Sequence, residues 1–83
     1  MPCVSNRDLS KAVQFLESGD WQAAHEIVQQ DEDSPLVCWA HGIVHLMEGD
    51  VANARYWYGE AARAFPDPSV PAAEIEALKL AMK

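Results

Sequence analysis

Apolar residues recur every three or four positions along most of the chain, and short polar or glycine–proline breaks cut the pattern into five helical segments. The first runs from Ser5 or Asn6, either of which can cap it, to about Ser18. It carries Leu9, Ala12, Val13 and Leu16 on one face, with Phe15 on the flank and Asp8 near its positive end. Gly19 supplies the backbone freedom that ends it, and Asp20 can cap a second helix over residues 20–30 that aligns Trp21, Ala24 and Val28, with His25 beside them. Ser34 and Pro35 open the third segment over residues 35–48, the most apolar of the five. Its stripe is Leu36, Trp39, Ala40, Ile43 and Met47, widened by Val44 and Leu46. Gly42 lies off that stripe and admits a close neighbour.

Gly49-Asp50 repeats the Gly19-Asp20 turn, and a fourth helix over residues 50–65 turns Val51, Ala54, Tyr58, Ala61 and Phe65 to one side. Pro66, Pro68 and Pro71 exclude helix from the connector that follows. A last amphipathic helix over residues 72–82 presents Ala72, Ile75, Leu78 and Met82, with Glu74 and Glu76 early and Lys79 and Lys83 late, as the helix dipole favours. The pattern predicts an all-α chain of one domain over residues 1–83. Hairpin 1 spans about 6–30, hairpin 2 about 35–65, and a capping helix about 71–82.

Each Gly-Asp turn follows an apolar run and places an alanine five residues past the glycine, at Ala24 and Ala54, which marks a repeated helical hairpin. Through Gly42, Gly49-Asp50, Ala54, Ala61 and Pro66 the second hairpin resembles the tetratricopeptide repeat. The run Ala54-Arg55-Tyr56-Trp57-Tyr58-Gly59-Glu60-Ala61-Ala62 is similar to the second helix of the related Sel-type repeats. The first hairpin matches only at Gly19-Asp20 and Ala24, and the Gly19-to-Gly49 spacing is shorter than the family's period of about 34 residues. His41 and His45 stand where the family has large apolar residues in its first helix. The resemblance implies antiparallel helix pairs stacked as a tetratricopeptide-like right-handed array that binds proteins or peptides, without catalysis. The stretch from His41 to Tyr58 also resembles one found in short uncharacterised bacterial proteins, which brings no function with it.

Thirteen Asp and Glu against six Lys and Arg give a formal charge of −7, which repels a phosphate backbone and argues against nucleic acid. No segment approaches the roughly 18–20 uninterrupted apolar residues of a membrane span, and no basic region followed by an apolar run marks the chain for export. Cys3 and Cys38 fit reduced thiols better than a disulfide framework, so the expected location is the cytoplasm. A nucleophile at Cys38 has no base or oxyanion arrangement visible beside it.

His41, His45 and Glu48 fall at i, i+4 and i+7 of the third helix, on one face away from its apolar stripe. Two imidazoles a turn apart and a carboxylate can hold a divalent metal, with His25 completing a tetrahedral set if the second and third helices are adjacent. The spacing lacks the intervening glutamate of the hydrolytic zinc motif. The alternative is a polar seam, in which His41 and His45 bond across the hairpin to Asp50, Asn53 or the tyrosine hydroxyls. Trp57, flanked by Tyr56 and Tyr58, puts aromatics on every side of the fourth helix, as either a core cluster or a binding surface.

Two functions follow. The leading one is a helical interaction module whose apolar groove between the first and third helices is lined by Val13, Leu16, Trp39, Ile43, Leu46 and Met47. That groove would take a protein, a peptide or a second copy of the chain. The alternative is a metal-binding protein or small metalloenzyme using His25, His41, His45 and Glu48.

Overall fold

Five α-helices account for most of residues 4–83, the part of the chain that this computed structural model describes: α1 (Asn6–Glu17), α2 (Trp21–Val28), α3 (Pro35–Glu48), α4 (Val51–Glu60) and α5 (Pro71–Ala81). No strand occurs among the described residues. Cys3 lies outside them.

Both Gly-Asp turns have the same geometry. Gly19 and Gly49 sit at φ +85° and +90°, where a Cβ would be disfavoured. The next amide reaches back to close the preceding helix: Asp20 N–H donates to Phe15 O at 2.8 Å, and Asp50 N–H to His45 O at 2.9 Å. The same aspartates start the following helices, Asp20 Oδ1 accepting from Ala23 N–H and Asp50 Oδ1 from Asn53 N–H. One dipeptide thus stops one helix and caps the next, folding α2 back on α1 and α4 back on α3. Ser5 caps α1 by accepting from Asp8 N–H.

Three features differ from the sequence reading. Helix α4 ends at Glu60 rather than near Phe65, because Ala62 adopts φ +57° and Arg63 N–H closes onto Tyr58 O at 3.0 Å, a third turn of the same kind built without glycine. Ser34 makes no side-chain cap; Asp31 Oδ1 takes the amides of Asp33 and Ser34 instead and shapes the entry to α3. Val51 and Ala72, expected inside, are exposed.

Helix α3 is the axis of the molecule. Every residue from Val37 to His45 is buried, because α1, α2, α4 and α5 all pack on it. Gly42 is the contact point with α4, where the ring of Tyr58 occupies the space a side chain would need. Helix α5 lies across α1 and α3 and is pinned there by Glu74, whose Oε1 accepts from Trp39 Nε1–H at 3.1 Å and from the Tyr58 hydroxyl at 2.6 Å. The Arg63 guanidinium stacks over the Trp39 ring, its Cζ 3.5 Å from the ring centroid.

This placement corrects the expected groove. Val13, Leu16, Trp39 and Ile43 are each 4% exposed or less, covered within the chain itself, and only Leu46 and Met47 keep partial access. No helix of the described residues is long and apolar enough to cross a membrane.

Candidate metal centre

The helical repeat of α3 puts His41 and His45 one turn apart, and α2, joined to α3 through residues 29–34, packs alongside so that His25 meets them from the neighbouring helix. The three imidazoles form a closed triangle. Ring centroids are 4.9 Å apart for His25 and His41, 5.4 Å for His25 and His45, and 5.1 Å for His41 and His45. Each ring offers a nitrogen, and the three nitrogens lie within 4.8 Å of one another. In a tetrahedral zinc site with Zn–N bonds of about 2.0 Å, ligand atoms stand about 3.3 Å apart, so closing the triangle takes small rotations of the rings.

The burial of the cluster is graded. His41 is 3% exposed, His45 is 9% exposed, and His25 is half-buried. The Trp57 ring lies flat against His41, with centroids 3.9 Å apart and planes within 10°, and covers one face of that imidazole. Tyr56 abuts Trp57 edge-on. Trp57 is therefore buried against the histidines, which decides between the two readings of the aromatics at this position; Tyr56 remains exposed. The histidine face, which lies apart from the apolar stripe of the third helix, is itself enclosed by α2 and α4.

His41 carries the sharpest anomaly. Its Nδ1 is buried without a hydrogen-bond partner, a condition that costs roughly 1–3 kcal/mol when nothing compensates it. Burial, and then the neighbouring His25 and His45, push its pKa from 6.5 down to about 3, so the ring is neutral and its lone pair available at neutral pH. The expected seam to Asp50, Asn53 or the tyrosine hydroxyls is not formed: Asp50 is committed to Asn53, and Tyr58 to Glu74.

Glu48, expected as a ligand, stands beside His45. Its Oε1 accepts from His45 Nδ1–H at 2.7 Å. A carboxylate only accepts, so this bond places a proton on Nδ1, and in the neutral ring Nε2 is then the nitrogen with the lone pair. The pair has the form of the outer-shell carboxylate–histidine partnership that orients metal ligands. Glu48 also belongs to a second, more exposed grouping with His45 and Asp50.

The setting of Cys38 disfavours the nucleophilic thiolate. It is buried, its thiol donates to Glu32 O at 3.3 Å, and burial followed by nearby carboxylates raises its pKa to about 11. Trp57 and Glu74 went unrecognised as the residues that enclose the site and clamp the fold. Trp57 was visible only as an aromatic of undecided role, and Glu74 looked like a first-turn acid on a surface helix. No protein-family model, curated protein or solved structure matches this chain, so the functional reading rests on the geometry of the cluster.

Proposed function

We propose that this protein binds a divalent transition-metal ion, zinc above all, through His25, His41 and His45, with Glu48 orienting His45 from outside the ligand set. The observation that carries this reading is the grouping of three histidine nitrogens within 4.8 Å around a buried imidazole whose Nδ1 has no partner. Imidazole suits zinc and its neighbours, whereas calcium and magnesium take oxygen donors. An ion here would tie α2 to α3 and add binding free energy to the stability of a small core. The turns at Gly19 and Gly49 and the Gly42–Tyr58 contact support reading the five helices as a tetratricopeptide-like right-handed array, with the metal as a staple between neighbouring helices.

Elemental analysis of untagged protein, purified from zinc-supplemented medium and passed through gel filtration, tests this. Stoichiometric zinc is expected, and His25→Gln, at the half-buried ligand, is expected to lose the zinc while keeping its helical circular dichroism. Wild-type protein that retains no metal would sink the reading.

The interaction-module reading survives in reduced form. Its support is the partial exposure of Leu46 and Met47 at the end of α3, together with exposed Val51 and Tyr56 on α4. A protein or peptide contact there, or a homodimer, would be small.

A further inference from the structure

We propose that the ion held by His25, His41 and His45 keeps one coordination position that the protein leaves open, and that this position takes a small anion. The inference rests on the metal reading above and deepens it.

Zinc-class ions take four ligands, and a closed structural site supplies all four from the protein. Among the described residues, the group around His41 contains three nitrogens and no fourth donor. The nearest carboxylates have other commitments. Glu48 is bonded to His45 Nδ1, on the ring nitrogen that does not face the ion in this reading. Asp50 caps α4 through Oδ1 and accepts from Asn53 Nδ2–H through Oδ2.

Charge favours an anion at the remaining position. Three neutral imidazoles leave both positive charges of the ion uncompensated inside the ligand set, and burying that charge without a counter-charge is costly. Access is defined as well. Trp57 covers His41, and His45 is almost wholly buried, so solvent reaches the group beside half-buried His25 on α2.

The test uses the full chain loaded with cobalt(II), whose visible absorption reports its coordination, and inorganic azide as the probe. Cobalt is counted on the protein after gel filtration, before and after the titration. The expected result is stoichiometric cobalt, retained throughout, with visible bands that shift saturably as azide is added. Retained cobalt whose spectrum azide leaves unmoved overturns this inference and leaves the metal reading standing, since a protein donor then fills the fourth position. Cobalt stripped from the protein by azide also counts against it. A chain that retains neither cobalt nor zinc overturns both.

Discussion

The Tyr58 hydroxyl on α4 donates to Glu74 Oε1 on α5 at 2.6 Å, and the same oxygen accepts from Trp39 Nε1–H on α3. One carboxylate atom therefore joins three helices, and its negative charge, together with burial, holds the Tyr58 phenol well above its ordinary pKa, burial being the larger cause. Glu74→Ala strands two donors in the interior, and each orphan costs roughly 1–3 kcal/mol. Urea denaturation should show a loss of about 2–4 kcal/mol, with Glu74→Gln recovering part of it because its amide oxygen can still accept. Equal stabilities for wild type and Glu74→Ala would remove the clasp from the account of how α5 is held.

Gly42 and Gly59 make a pair of opposite sign. A Cβ at Gly42 would fall 2.5 Å from Tyr58 Cδ1 and 2.7 Å from Cε1, and that ring is held by Glu74 and cannot swing away. Gly42→Ala should therefore lower stability by about 1–3 kcal/mol despite alanine's better helix propensity. At Gly59 nothing lies within 4 Å, and Gly59→Ala should raise stability by roughly 0.5–1 kcal/mol. Thermal melts of the two variants check the contrast.

Zinc should raise the melting temperature, because an ion that binds only the folded chain adds RT ln(1 + [L]/Kd), about 2.7 kcal/mol at a hundredfold excess over Kd. A chelator should reverse the rise. In His45→Gln neither zinc nor chelator should move the melting temperature, and in Glu48→Gln the zinc affinity should drop by roughly 10–100-fold. Identical zinc titrations for Glu48→Gln and wild type would strip Glu48 of its orienting role.

Metal-free protein should lose stability on acidification through His41. Its folded pKa, about 3, lies below the 6.5 of an unperturbed imidazole, so between those values the unfolded chain binds the extra proton and the folded chain does not. Stability therefore rises with pH across that window, by at most about 1.4 kcal/mol per unit for this one group, and is fully present above pH 6.5. Denaturant midpoints at pH 7 and pH 5 check the sign, and His41→Phe should flatten the difference.

If the partly exposed end of α3 mediates association, sedimentation should find a dimer at micromolar concentration that Met47→Glu converts to monomer, with the helical circular dichroism kept. A monomer for the wild type at those concentrations would remove the remaining support for a homodimeric contact.

The sequence by itself determined the five helices, the two Gly-Asp turns and the register that stacks His41 above His45. These are local matters: periodicity, caps and backbone freedom act within a few residues of one another. It also named His25 as the ligand that would complete the set, on the condition that α2 and α3 are neighbours, which a sequence pattern does not show. What only the tertiary structure decided depends on contacts between distant segments. Trp39, Ile43 and Leu16 read as an open groove because the pattern of a helix does not say which other helix covers it, and α5, across a proline-rich connector, covers this one. Glu48 read as a ligand from its spacing; that it bonds to Nδ1 of His45 is a contact spacing cannot show. Trp57 became the cover of His41 only when the turn at Gly49 laid α4 against α3. Ala62 ended α4 early without glycine, a left-handed residue held by its hydrogen bonds and not by its own propensity.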